Sequence, residues 1–263
     1  MGAPLAVVQN RILACMTPDL FDRVRPFLQP IALKRRAILQ EHNRLIEHVY
    51  FIERGAASLF ARTQRDGPVE VAILGRLGFV GVAAVLGTMR SPNRCMMEVP
   101  GEALRITAKD LLRVMDDAPG VRQHLLKHVH VLLVQNTQTA LCNVRHELEE
   151  RLCRWLLLAG DRLDEKLIPL THDQLAMILG VRRAGITMTL SALEEIGAVI
   201  KTRGAIRIAK RSILENKTCE CYRIIASEYK HLMNSGSYHH AIEGLRASAS
   251  QSGHTGIASR DDV

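Results

Sequence analysis

The sequence of 263 residues contains no long hydrophobic run. A membrane-spanning helix needs roughly 18 apolar residues, and the apolar stretch at residues 79–87 is far shorter. The N-terminus lacks the layout of a signal peptide, and Ala6 stands where N-myristoylation prefers Ser or Thr. We therefore expect a cytoplasmic protein that has no membrane partner.

Motifs of the common enzyme classes are also missing. The sequence has no P-loop, no zinc-protease motif and no nucleophile elbow. His172-Asp173 begins a predicted helix, where both residues fit polar or phosphate-contacting groups better than a catalytic pair. We therefore predict no enzymatic activity and no catalytic residues.

Cysteines are present without the spacing of a disulfide framework. The sequence has six of them, at positions 15, 95, 142, 153, 219 and 221. In a cytosolic chain most are expected to be reduced packing residues. Cys219-x-Cys221 could bind a soft metal or be redox-active, but two thiolates without nearby partners make a weak site. His124 and His128 lack a completing ligand as well, so no metal site is predicted.

Positive charge is concentrated in one segment. The formal net charge is +8, and residues 182–211 hold seven basic residues against Glu194 and Glu195. The basic residues are Arg182, Arg183, Lys201, Arg203, Arg207, Lys210 and Arg211. Such a patch is typical of phosphate contacts with nucleic acid.

Residues 1–117 are predicted to form a β-rich domain. Short apolar runs separated by Gly, Pro, Asn and Asp favour an antiparallel sandwich or barrel. The runs lie at 37–39, 49–52, 57–61, 69–74, 96–99 and 103–106. Asp66-Gly67 is the best hairpin turn among them. Helices are predicted at 4–28, 79–87 and 109–115.

A long helix is predicted over residues 121–144, within a segment at 118–145. Its heptad-like positions are Leu126, Val129, Leu133, Asn136 and Ala140. Such a seam predicts a homodimer, in which a polar residue fixes the register. The alternative is packing of this face on the protein's own sheet.

Residues 146–216 are predicted to form a winged helix-turn-helix domain. The helix at 147–159 carries Trp155, and residues 170–193 read as two helices around a tight turn. Thr171 is a plausible N-cap, Gly180 suits the turn, and Ile186 anchors the second helix. Residues 199–201 and 206–208 flank Arg203-Gly204 and read as the wing. In residues 217–263 we expect a helix at 222–233 and a disordered tail from position 235.

The second helix and the wing supply the candidate contacts to double-stranded DNA. We expect the second helix to expose Arg182, Arg183, Gly185, Thr187 and Met188. The full set of predicted DNA-binding residues is Thr171, His172, Arg182, Arg183, Gly185, Thr187, Met188, Lys201 and Arg203.

This order of elements resembles the Crp/Fnr family of bacterial transcription regulators over roughly residues 15–215. Supporting matches are GRLGFVG at 75–81 and ELEERLCRWLLL from position 147, and the strongest is TxxQLAxxLGVRRxxIxxxLxxLE at 171–194. The resemblance implies an α+β chain with a jelly-roll sensor domain, a dimerisation helix and a C-terminal winged helix-turn-helix domain. It also implies promoter binding at a two-fold symmetric site and RNA polymerase as a further partner.

The region that resembles the family's effector site departs from its pattern. Members that bind cyclic nucleotide have Gly-Glu where this sequence has Gly81-Val82, and valine cannot accept a hydrogen bond from the ribose hydroxyl. A buried unpaired polar group costs about 1–3 kcal/mol. The family's Arg-Ser clamp is represented by Arg94-Cys95. The candidate pocket residues are Gly78, Gly81, Val82, Ala83, Arg94 and Cys95.

We accordingly expect no cofactor. Cyclic nucleotide is disfavoured by Val82, and an iron–sulfur cluster by the single cysteine, Cys15, near the N-terminus. The effector is expected to be an unidentified small molecule, or none. An alternative is a ligand sensor, for small molecules or cyclic nucleotide, whose output is protein contact rather than direct DNA reading.

The reading helix departs from the family as well. Arg183 keeps the first arginine of the frequent Arg-Glu…Arg pattern, whereas Ala184 and Met188 replace the other two residues. Arginine can contact guanine bidentately, while alanine and methionine offer only apolar contact. A different base sequence is therefore predicted, and Gly185 either permits close approach to DNA or is simply tolerated.

Overall fold

The computed structural model describes residues 8–62, 64–65, 67–163 and 167–234. Two short helices open it, α1 (Arg11–Ala14) and α2 (Pro18–Val24). Asn10 caps α1, because its side-chain oxygen accepts hydrogen bonds from the backbone N–H groups of Ile12 and Leu13. Asp66 of the predicted hairpin turn and the predicted disordered tail lie outside the described residues.

One antiparallel sheet dominates the N-terminal domain, as predicted. Its strands are β1 (Gln29–Leu33), β2 (Ile38–Gln40), β3 (His48–Ala61), β4 (Val69–Leu74), β5 (Phe79–Val80) and β6 (Arg94–Thr107). The strand order is β1-β6-β3-β4, while β2 pairs with β6 and β5 with β3. We call this sheet, with the helices packed on it, the β-roll.

Two pairs of predicted short strands are in fact single long strands. Residues 49–52 and 57–61 both belong to β3, and residues 96–99 and 103–106 both belong to β6. The glycines between them allow the two strands to approach closely. A Cβ on Gly101 would lie 2.0 Å from the carbonyl oxygen of Arg54, where the pairing register also shifts. The separate strands predicted on either side of these glycines are therefore wrong.

Three helices follow within or after the sheet: α3 (Val82–Val85), α4 (Ala108–Asp117) and α5 (Pro119–Arg145). The long helix α5 lays one face on the β-roll, and Val121, Leu125 and Val129 are buried in that core. Val129 is therefore not part of an exposed seam, which corrects its predicted position. The helical period of 3.6 residues rotates it towards the protein's own core.

The C-terminal part contains the predicted helix-turn-helix and wing. Its elements are α6 (Leu148–Leu163), β7 (Leu167–Ile168), α7 (His172–Leu179), α8 (Arg183–Glu195), β8 (Val199–Thr202), β9 (Ala205–Ile208), α9 (Arg211–Lys217) and α10 (Glu220–Asn234). The wing strands β8 and β9 pair antiparallel, and β7, which was not predicted, adds a third strand beside β9.

The two parts of the chain share one hydrophobic core. Phe60 and Ile73 of the β-roll pack in the same cluster as Trp155 and Leu156 of α6. Arg162 of α6 is fully buried beside β4 and donates a hydrogen bond of 3.0 Å to the carbonyl oxygen of Ile73. The C-terminal part is thus docked on the sheet.

Among the described residues, no single helix has the length and apolarity to cross a membrane, although the bent pair α7 and α8 together reach both thresholds at an angle of 110°.

Candidate nucleic-acid interface

A capping box begins α7, the first helix of the motif. The backbone N–H of Gln174 donates to Oγ1 of Thr171, and the N–H of Thr171 donates back to Oε1 of Gln174. The amide nitrogen Nε2 of Gln174 also donates to Oε2 of Glu98 in the β-roll, at 3.3 Å. The start of the motif is therefore fixed both locally and by the β-roll.

The turn of the motif depends on Gly180. Its φ of 64° lies in the left-handed region, where a side chain is sterically disfavoured. The axes of α7 and α8 make an angle of 110° at this turn. Ile186 and Leu190 are fully buried beneath α8, as the sequence predicted, so its opposite face is available to a partner.

The predicted base-contacting residues of α8 lie at its exposed N-terminal end. Arg182, Arg183 and Thr187 are exposed, and Met188 is 73% exposed. Arg183 forms an ion pair with Asp173 of α7, with 3.3 Å between Nη1 and Oδ2. Both side chains are about two-thirds exposed, and such a pair contributes only about 0–1 kcal/mol. Arg183 can exchange this contact for a base or a phosphate.

Gly185 does not lie on this exposed face, which corrects the prediction. It is half-buried, and a Cβ built on it would lie 3.0 Å from Cδ2 of Leu148 in α6. Its small size serves the packing of α8 on α6. The neighbouring Ala184 is the exposed small residue instead.

Two further predicted contacts are engaged with the protein itself. His172 makes a 3.0 Å hydrogen bond with the hydroxyl of Thr187, across the two motif helices. Partial burial, followed by the positive charges of Lys201 and Arg183, lowers the pKa of His172. Lys201 of β8 pairs with Glu194 at 2.9 Å and donates to Ser191 at 2.9 Å. These contacts orient the surface on which DNA would lie.

The wing presents Arg203 at its tip. Arg203 is exposed, and Gly204 has a φ of 77°, which permits the tight turn between β8 and β9. Arg207 is also exposed on β9. The wing therefore carries positive charge beside the exposed end of α8.

The six candidate effector residues lie in different parts of the β-roll. A cavity of about 240 Å³ is lined by His42, Phe60, Arg62, Pro68, Arg94, Met96 and Met177. It lies between the β-roll and α7, and Arg94 alone of the six candidates contributes to it. Gly78, Gly81, Val82 and Ala83 instead surround the start of α3, where Gly81 has a φ of 104°.

Arg94 and Cys95 point to opposite sides of β6, as successive strand residues do. The guanidinium of Arg94 makes two hydrogen bonds to Glu41, of 2.8 and 2.9 Å, which lower the pKa of that carboxyl. Cys95 is completely buried in the sheet's core, and burial raises its pKa. The predicted Arg-Cys clamp is therefore wrong, because the two side chains cannot face one ligand.

Arg90-Ser91 is an Arg-Ser pair closer to α3 that was not predicted. The hydroxyl of Thr88, just before this pair, donates to the carbonyl oxygen of Ala83 in α3, which holds the segment against that helix. The guanidinium of Arg90 donates to the carbonyl oxygen of Asn43 at 2.8 Å. The short distance in sequence from α3 to Arg90 is the signal that could have identified the pair.

A second group missing from the prediction lies where α5 ends and α10 begins. Cys142 and His146 meet Cys219 and Cys221 there. In the sequence, no nearby partners were evident for Cys219 and Cys221. Cys142 is 77 residues from Cys219 in sequence, and only the fold brings the two together. The spacing Cys142-x-x-x-His146, one turn of a helix, is the signal that could have found them.

Known protein families match both parts of the chain. Residues 30–118 match the family described as cyclic nucleotide-binding domain, and residues 150–217 match the family described as Crp-like helix-turn-helix domain. No curated protein matches the chain.

Solved structures with a similar fold include three bacterial proteins. A transcriptional regulator of the Crp/Fnr family from Eubacterium rectale is 16% identical, with a TM-score of 0.61 over 81% of this chain and 97% of that one. FixK2 from Bradyrhizobium japonicum is 15% identical, with a TM-score of 0.60 over 73% and 98% of the two chains. The c-di-GMP-responsive global regulator CLP of Xanthomonas campestris is 15% identical, with a TM-score of 0.59 over 74% and 100%.

The two family matches fall on the two halves of the architecture in the order that the sequence predicted. The capped helix pair, its glycine turn and its wing all lie inside the second match. The chain belongs to the Crp/Fnr family of transcription regulators.

Proposed function

We propose that the protein is a dimeric regulator that reads a two-fold symmetric promoter site with α8, in the cytoplasm. The observation that carries this proposal is the exposed, basic N-terminal end of α8. Arg182 and Arg183 lie there above the buried anchors of the helix, and Arg203 extends the positive surface onto the wing. Arginine in the major groove can contact guanine O6 and N7 bidentately, while wing cations contact phosphate.

The exposed face of α5 supports dimerisation. Leu126, Leu133, Leu141 and Val144 form an apolar stripe along it, with exposed fractions of 39%, 58%, 43% and 81%. Ala140 is exposed on the same side. Large apolar side chains repeated along one helix face favour burial against a second helix. The seam we propose therefore keeps Leu126, Leu133, the half-buried Asn136 and Ala140 from the predicted set, without Val129.

Regulation by cyclic nucleotide is not part of the proposal. Val82 stands at the start of α3, and its side chain packs against the core of the β-roll. A valine there cannot replace a carboxylate that accepts the ribose hydroxyl. We propose an unidentified small effector, or none, and RNA polymerase as the partner through which promoter binding acts.

Selection from a random duplex pool tests DNA reading directly. The purified full-length protein is expected to enrich a two-fold symmetric sequence whose half-sites lie about one helical turn, 34–36 Å, apart. Enrichment of no symmetric site would overturn the proposal. The double variant Arg182→Ala, Arg183→Ala serves as the control, and it is expected to enrich nothing while retaining the folded state.

Calorimetry with cyclic AMP, cyclic GMP and cyclic di-GMP tests the effector separately. No heat of specific binding is expected with these nucleotides. Tight binding of any of them would overturn the conclusion drawn from Val82 and would direct attention to Arg90-Ser91.

A further inference from the structure

Four side chains with metal-binding atoms converge at the junction between the long helix α5 and the C-terminal part from α6 onwards, which is the proposed reading domain. Cys142 lies in the last turn of α5, and His146 is the residue that ends this helix. Cys219 directly precedes α10, and Cys221 lies in its first turn. The three sulfur atoms and a ring nitrogen all lie within 4.8 Å of one another.

Two of the separations in this cluster are close to the edges of a tetrahedron around one metal ion. Sγ of Cys142 is 3.5 Å from Sγ of Cys219, and Sγ of Cys221 is 3.6 Å from Nδ1 of His146. With Zn–S bonds of about 2.3 Å and Zn–N bonds of about 2.0–2.1 Å, tetrahedral geometry gives edges of roughly 3.8 Å and 3.6 Å. The remaining edges are at most 4.8 Å, so side-chain shifts of about 1 Å or less would place all four atoms at bonding distance.

We propose that Cys142, His146, Cys219 and Cys221 form a Cys3His site for a single soft divalent ion, with zinc as its preferred occupant. Thiolate and imidazole are the ligands that zinc takes in closed tetrahedral sites. Four protein ligands leave no open position, so the site is structural rather than catalytic. The ligand atoms are too close together to surround a larger inorganic cluster.

The surroundings suit a bound ion. All three cysteines are buried, which protects the thiolates from solvent, while His146 is half-exposed and offers a route of entry. Binding exchanges the thiol protons for one Zn²⁺ and involves no electron transfer. Three thiolates and a neutral imidazole around Zn²⁺ carry a net charge of −1.

A buried cation lies within electrostatic range of that charge. The buried guanidinium of Arg154 interacts electrostatically with the sulfur atoms of both Cys142 and Cys221. Arg154 is itself held in place by a 3.1 Å hydrogen bond to Oγ1 of Thr139 in α5. An outer cation of this kind stabilises the deprotonated ligands.

The position of the site gives the ion a mechanical role. His146 ends α5, and α6 of the reading domain begins at Leu148. Cys219 and Cys221 attach the start of α10 to the same point. An ion bound there would fix the angle between the long helix and the reading domain, because its ligands come from both sides of the junction.

A disulfide between Cys142 and Cys219 is the competing use of these residues. The sulfurs are 3.5 Å apart, whereas a disulfide bond is about 2.05 Å long. Oxidation would need an electron acceptor and would remove two of the four metal ligands. The two uses therefore exclude each other.

The experiment measures metal content in the full-length protein. Protein is expressed with zinc and purified by gel filtration, and its metal content is measured by elemental mass spectrometry. Roughly one zinc ion per chain is expected. Replacement by cobalt is expected to give the absorption of tetrahedral cobalt together with thiolate charge-transfer bands. Cys142→Ser and Cys221→Ser are each expected to lose most of the metal, while Cys221→His retains it with a shifted cobalt spectrum.

Cys15→Ser and Cys153→Ser are the matched controls. These two cysteines lie outside the cluster, so their substitution should leave the metal content unchanged. The proposal would be overturned by a wild-type protein that neither carries zinc nor binds cobalt. It would equally be overturned by a Cys142–Cys219 disulfide in protein purified without oxygen, or by equal loss of metal in Cys15→Ser.

Discussion

The indole N–H of Trp155 donates a hydrogen bond of 2.7 Å to Oε1 of Glu70, joining α6 to β4. The hydroxyl of Ser58 donates to the other carboxylate oxygen. Glu70 is buried, and burial raises its pKa to about 7. A carboxyl group that changes its charge near neutrality therefore lies in the contact between the two domains.

The stability of the protein is expected to fall as pH rises from about 4.5 to above 7. Between these pH values the folded protein keeps a proton on Glu70 that the unfolded chain has released. The stabilisation that this proton gives the folded state is complete below pH 4.5 and is lost as the pH rises through about 7. The full difference is about 3 kcal/mol. Glu70→Gln should remove this slope and raise the unfolding free energy at pH 8.

Denaturant unfolding followed by Trp155 fluorescence, at several pH values, measures the slope. The exposed Glu102→Gln variant is the control and should keep the wild-type profile. Parallel profiles for wild type and Glu70→Gln would show that Glu70 does not titrate in this range.

Arg183→Ala should relax sequence specificity at one base pair in each half-site. A bidentate guanine contact contributes about 1–3 kcal/mol of discrimination, and alanine removes it. Arg203→Ala should instead weaken binding to all sequences and reduce the dependence of affinity on salt by about one ion per protomer. Fluorescence anisotropy with single-base variants at two salt concentrations separates the two patterns. Uniform weakening by Arg183→Ala would identify that residue as a phosphate contact.

Leu133→Glu should dissociate the dimer. Symmetry places the substitution in the interface twice, and loss of two buried leucines at about 1.5 kcal/mol each weakens association roughly 100-fold. Sedimentation velocity over a concentration series measures the change. Lys127→Glu, at an exposed position of α5 about 100° around the helix from Leu126, should remain dimeric. Unchanged association of Leu133→Glu would rule out this face.

Gly185→Ala should leave DNA affinity unchanged and stabilise the protein by roughly 0.5 kcal/mol. Alanine gains about 1 kcal/mol of helix propensity, and part of this is lost in displacing the half-buried Leu148. Gly197→Ala provides a contrast, because its φ of 72° makes any side chain unfavourable. Thermal unfolding and DNA titration test both variants. A loss of DNA affinity at unchanged stability would show that Gly185 does contact DNA.

The sequence predicted the helix-turn-helix most accurately, because local signals determine it. The capping residue Thr171, the turn residue Gly180 and the anchor Ile186 all have the roles that their spacing indicated. The long strands were harder to predict. Gly55 and Gly101 look like turn residues in sequence, and only their close cross-strand approach shows that β3 and β6 continue through them.

The candidate sites separate in the same way. Exposure of Arg182 and Arg183 follows from helical period alone, whereas the position of Gly185 depends on how α6 crosses α8. Arg94 was mistaken for a ligand clamp because its partner, Glu41, is 53 residues away. The cluster around Cys142 also depends on tertiary contacts that no local pattern contains.

The shared core of Phe60, Ile73, Trp155 and Leu156 has a consequence for dissecting the protein. A fragment cut at the predicted boundary, after residue 145, would uncover the apolar side of α6 that now lies on the sheet. It would also leave the guanidinium of Arg162 without the hydrogen-bond acceptor that the carbonyl oxygen of Ile73 provides. Such a truncated reading domain should aggregate, even though the helix-turn-helix within it is intact.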